Sequence, residues 1–216
     1  PKAAPASAAA TPATPLAAPA APAAPAPVAA PAAVDPAPRD IIVSSVANGD
    51  GGRLDFRFSR PTGAAAFTEP GLVTLVFDTR DTLDPDRLKG LLPALIRDVT
   101  VSREAKVTVL RLRTRSQQIT RLSDDGASWS LSFGEKLGKP ASALAPRRET
   151  DERGQTVVAV PVPGMTGVHW LENRDGGAPM AVATALGPTR AVSKPYRFVE
   201  FGLPQTAHGI AVSALA

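Results

Sequence analysis

The chain has 216 residues, 44% of them hydrophobic, with 24 Lys/Arg against 20 Asp/Glu, two His and no Cys. Without cysteine it holds no disulfide framework, thiolate metal site or cysteine nucleophile. A formal charge of +4 with no dense basic stripe and no recognised motif gives no ground for a nucleic-acid binder, and no run reaches the roughly 18–20 apolar residues of a membrane span.

Residues 1–38 hold eleven of the 23 prolines and nineteen alanines. So few branched or aromatic side chains cannot offset the entropy of ordering the segment, and the prolines block helix formation by the alanines between them. A disordered Pro/Ala tether is expected, with an extended reach on the order of 120 Å. The chain starts at Pro1 and stops inside an apolar pattern, Gly209-Ile210-Ala211-Val212. It is therefore expected to be a piece of a larger protein.

An abrupt change to β-branched residues at 40–43 opens the ordered part. A strand is predicted over 41–46, followed by the turn Asn48-Gly49-Asp50-Gly51-Gly52. Residues 53–58 alternate, with Leu54, Phe56 and Phe58 on one face. After Pro70-Gly71 comes the apolar run 72–77, suited to a buried strand. Asp84 as N-cap and Pro85 at the first helical position predict one short helix carrying Leu88, Leu91 and Leu92, ended by Pro93. Strands follow at 96–102, 107–113 and 117–122, then a turn at Asp124-Asp125-Gly126 and an alternating strand at 129–133. About seven strands and one short helix predict a small β-sandwich over 39–137, whose core includes Trp129, Leu131 and Phe133.

Residues 138–153 are polar with Pro140 and Pro146 and read as a linker. Short β-like pieces at 156–160, 168–171, 180–185, 196–201 and 210–212 predict a second β-rich unit over 154–216, truncated if the chain is cut there. One continuous sandwich or an extended β-rich arm is the alternative. The overall class is all-β.

The order of elements in 41–133 carries a resemblance. A buried strand closes on Asp in 70–78, a leucine-bearing segment occupies 83–95, strands follow at 96–101 and 107–112, and Asp125-Gly126-Ala127-Ser128-Trp129-Ser130-Leu131 ends the series. This order resembles the AMIN domain, a small β-sandwich found beside peptidoglycan amidases and in the outer-membrane secretins of type IV pili. The resemblance covers under half of the chain and rests on strands and turns, with no catalytic residues to carry over. It implies a periplasmic or envelope-associated module that positions its host protein at the cell wall. Three alanines before Phe67 depart from the pattern, and the stretch after Arg153 matches no known one.

The candidate chemistry is sparse. His169 and His208 are far apart and lack a zinc-ligand spacing, so no metal and no cofactor are expected. His169 beside Trp170 could stack on a sugar ring, although a strand residue packed on one side is the simpler reading. No Gly-x-Ser-x-Gly elbow occurs, the Asp124-Asp125 pair reads as a hairpin turn, and Gly49, Gly51 and Gly52 precede a strand instead of a helix. The chain is not expected to be an enzyme. Arg111, Arg113 and Arg115 at i, i+2 and i+4 share one strand face, with Arg121 within reach across the next turn. They make either a solvated sheet face or a basic strip for an anionic polymer such as cell-wall glycan. Val107 and Val109 have the same parity, so the buried face changes near Val109-Leu110, through a β-bulge or a strand leaving a two-sided core. The expected function is a non-catalytic envelope targeting module binding peptidoglycan. The alternative is a protein–protein assembly part of a pilus, secretion or trans-envelope complex.

Overall fold

The computed structural model describes residues 37–49, 51–104, 106–116, 120–134, 142–172 and 179–214. Positions 1–36 of the expected tether and 138–141 of the expected linker lie outside them. The described elements are β1 (Ile42–Asn48), β2 (Gly51–Arg57), β3 (Ala64–Glu69), β4 (Leu72–Phe77), α1 (Pro85–Lys89), β5 (Ile96–Glu104), β6 (Val107–Thr114), β7 (Thr120–Asp124) and β8 (Ser128–Phe133). Then come β9 (Arg147–Thr150), β10 (Thr156–Ala159), β11 (Met165–Leu171), β12 (Met180–Ala185), β13 (Tyr196–Arg197), β14 (Phe201–Leu203), β15 (Thr206–His208) and β16 (Ile210–Ala214). The protein is all-β with one short helix, and the strands pair antiparallel.

Two sheets face each other. The smaller has the order β1-β2-β8-β7, and the larger runs β13-β14-β16-β12-β3-β4-β6-β5, with β11 on β12 and β15 on β3. Alternation along β2 and β8 sends Leu54, Phe56, Trp129, Leu131 and Phe133 inward, where they meet Val73, Leu75, Phe77, Leu110 and Leu112 of the larger sheet. Phe77 sits between Phe56 and Phe58, at ring-centroid distances of 5.2 and 5.0 Å. The predicted inner face of the small sheet is therefore the observed one. Beside β5, the end strand of the larger sheet, α1 starts as expected, with the Asp84 side chain accepting from the Asp86 amide and Pro85 in the first turn. It ends at Gly90, before Pro93.

The two stretches separated in the sequence do not make separate sheets. Ala185 of β12 pairs with Ala64, and Thr206 and His208 of β15 pair with Phe67 and Ala66, so β3 is flanked by strands from the later stretch. Ala37–Ala216 forms one compact unit, in which strands of 154–216 pair with β3 of 39–137. The described part of the linker is also structured. Leu144 is buried against Val192, Leu203 and Ile210, and β9 pairs with β10. The physical reason lies in β3, which the alanine run concealed from a strand reading. Ala64, Ala65 and Ala66 are all buried, and their small side chains let Gly209 approach so closely that a Cβ there would lie 2.8 Å from the Ala65 Cβ.

Candidate functional site

The outer face of the larger sheet places the predicted arginines. Strand register sets two adjacent rows across it: Phe67, Thr74, Arg111 and Thr100, then Glu69, Leu72, Arg113 and Asp98. The row before them, with Ala65, Val76 and Val109, is covered by Leu171, Val182 and Ala211. β6 thus leaves a two-sided core: Val107 to Leu110 are buried on both faces, while the inward series Thr108, Leu110, Leu112 and Thr114 stays buried throughout. There is no bulge in β6. Its pairing with β4 is continuous, and the register shift lies on β5 between Ile96 and Asp98.

Where the cover ends, a groove of about 460 Å³ opens over Phe67, Thr74, Arg111 and Arg113, walled by Leu171, Glu172 and Met180. Its charge is balanced, with Arg111 and Arg113 facing Glu69 and Glu172 in the lining. Arg111 is an internal tie. Its guanidinium bonds Ser102 Oγ at 2.9 Å and Glu104 Oε1 at 3.4 Å, with only 16% and 17% of the Arg111 and Glu104 side chains exposed. Glu104 also accepts from the Glu172 amide while Arg111 donates to the Glu172 carbonyl, so the pair fastens the end of β11 to the large sheet.

The other two arginines are dispersed. Exposed Arg115 lies beyond the end of β6 and donates from Nε to the Pro93 carbonyl at 2.9 Å. Arg121 belongs to β7 in the smaller sheet, in a row with Ser132 and Arg53 on its outer face. The structure therefore brings Arg111 and Arg113 together and assigns Arg115 and Arg121 to other surroundings.

His169 does lie near a carboxylate. Its Nε2 is 3.5 Å from Asp78 Oδ1 and 3.4 Å from Thr184 Oγ1. A proton relay needs the carboxylate on one ring nitrogen and the nucleophile on the other. Here both partners meet the same nitrogen, and Thr184 is fully buried beneath β11, bonded to Thr166. The cluster ties β11 to the end of β4. Among the described residues no three His, Cys, Asp or Glu side chains gather as a metal site, and no helix is long and apolar enough to cross a membrane.

Sequence reasoning considered His169 and Trp170 only as a sugar-stacking pair or a packed strand, and did not foresee β11 as a sheet edge. This strand pairs only with β12, so its other backbone edge has no partner strand among the described residues. Its residues Met-Thr-Gly-Val-His-Trp-Leu include no proline, lysine, arginine or carboxylate, the residues that commonly blunt an edge. Val168 and Trp170 project on the face opposite His169 and are 56% and 71% exposed, with Met165 at 55%. Their cross-strand neighbours are Ala183 and Ala181, which offer no hydroxyl or amide side chain for a sugar. The signal was present in the sequence as an uncharged seven-residue run, but only the sheet order makes it an edge.

No protein-family model matches this chain, and no curated protein or solved structure matches it. Function must accordingly be argued from the surfaces themselves. The neutral groove offers little net attraction to a polyanion. The uncharged edge of β11 has no partner strand among the described residues and lies beside apolar side chains, which is what an added strand requires.

Proposed function

We propose that this chain is a non-catalytic docking module of the cell envelope, which positions a larger protein by accepting an extended segment of a partner protein onto β11. The observation that supports it is the β11 edge, without a partner strand among the described residues, together with exposed Val168 and Trp170. Main-chain bonds would supply affinity, and pockets for alternate side chains beside Trp170 would supply selectivity. The envelope setting rests on the AMIN-like order of elements in 41–133. A photo-crosslinking residue replacing Trp170 in the full-length host protein is expected to capture another envelope protein, whereas one replacing Arg57 on the small sheet's outer face is not. Equal capture at both positions would refute docking at β11.

The wall-targeting reading retains one observation in its favour, the groove flanked by Arg111 and Arg113. Retention on purified wall sacculi that is unchanged in Trp170→Ala, yet lost in Arg113→Gln and at high salt, would support it over strand addition.

A further inference from the structure

His208 is the one described titratable side chain sealed within the junction between the two sheets. It stands on β15, 1% exposed, with its ring against Trp129 of β8 at a centroid distance of 4.8 Å. Both ring nitrogens are committed to backbone groups. Nδ1 accepts from the Arg190 amide at 3.0 Å, and Nε2 lies 3.0 Å from the Ala185 carbonyl. An amide N–H can only donate and a carbonyl can only accept. These partners therefore require the neutral ring with its proton on Nε2.

Three segments converge on this ring: β12 through Ala185, the connection after it through Arg190, and β8 through Trp129. Backbone bonds also hold this connection, from the Gly209 amide to the Arg190 carbonyl at 3.0 Å and from the Ala191 amide to the Ser142 carbonyl at 3.1 Å, while the Val192 amide donates to Thr206 Oγ1 at 2.8 Å, also on β15. β15 therefore acts as a buckle on Arg190 and Val192, on either side of an Ala191 held by the 142–144 backbone.

We propose that His208 is an acid-loosened clasp, in which uptake of one proton at Nδ1 breaks its bond to the Arg190 amide and weakens the hold of β15 on the 186–192 connection. The proton comes from solvent and takes the Nδ1 lone pair. The Arg190 amide then faces a second N–H instead of an acceptor, and the bond is lost. Burial keeps the ring's pKa below its ordinary value, while the Ala185 carbonyl and the Asp124 carboxylate on β7 pull the other way. The charged residues on the elements packed about the ring are Arg190, Asp124 and Arg121 of β7, and Glu69 of β3. Because the folded state favours the neutral ring, the clasp contributes fully above about pH 6.5 and is lost as pH falls from there through the lower folded value.

The test uses the unmodified protein. Histidine NMR titration and amide hydrogen exchange, corrected for intrinsic rates, are followed together from pH 7.5 to 4.5. His208 is expected to titrate below 6.5. Protection at 185–192 and 206–209 is expected to fall about tenfold per pH unit over that interval, ahead of the strands β2, β4 and β8. A His208→Asn variant keeps an acceptor near the Nδ1 position and is expected to show no such pH-dependent step. Titration of His208 at or above 6.5 would overturn the clasp. So would loss of protection across the whole chain at once, or a local step that persists in the Asn variant.

Discussion

Truncating Trp129 tests the sandwich core and its junction together. The side chain is 2% exposed, packs in the cluster with Phe56, Leu131 and Phe77, and donates from Nε1 to the Thr62 carbonyl at 2.7 Å. Trp129→Ala removes the ring and leaves a cavity, a loss of about 3–5 kcal/mol. It also strands a carbonyl that had a partner, adding about 1 kcal/mol where water does not enter. A total of about 4–6 kcal/mol is a large share of the roughly 5–15 kcal/mol by which a domain is stable. Trp129→Phe keeps an aromatic ring against His208 and is expected to lose about 1–3 kcal/mol. The assay is urea unfolding followed by circular dichroism. With a slope of about 2 kcal/mol per molar, the Ala variant's midpoint falls by about 2–3 M. A shift below about 0.5 M would refute the packing argument, and equal shifts for Ala and Phe would refute the role given to the ring.

Arg111→Gln is expected to cost about 1–2 kcal/mol in the same assay, because Glu104 loses its largely buried partner. Arg115→Gln is expected to stay within about 0.5 kcal/mol, since its side chain lies at the surface. Equal effects would contradict the division between tie and surface arginine. Gly209→Ala combines φ of +69° with a Cβ only 2.6 Å from the Ala183 carbonyl, and is expected to destabilise by about 3 kcal/mol or more. Gly49→Ala, at φ of +55° in open space, is expected to cost about 1 kcal/mol, so indistinguishable melting curves for the two would argue against the close approach at β3. Trp170→Ala is expected to abolish partner capture with a stability change within about 0.5 kcal/mol, measured by crosslinking and melting of the same preparation.

Local chemistry made much of the first half legible. Alternation in 53–58 and 129–133 identified the inner face of the small sheet because side chains on a strand have a period of two. Asp84 and Pro85 located the helix start because their effects act within one turn. The alanines at 64–66 defeated the same approach. Alanine carries no strand preference, and its placement in a central strand depends on neighbours that arrive some 120–145 residues later.

The candidate site shows the same limit more sharply. Spacing put Arg111 and Arg113 on one face, and they do share it. It could not show that Glu104 neutralises Arg111, or that Arg121 belongs to the opposite sheet. Whether 165–171 is an interior strand or an edge depends on sheet order, a property of pairing between distant segments with no trace in the run's own residues. His208 is the clearest case. By itself the sequence determined that a histidine stands between Ala207 and Gly209 and that it titrates near neutrality when free. Only the tertiary structure decided that both its nitrogens are taken by backbone groups from another segment, and therefore which protonation state the fold requires.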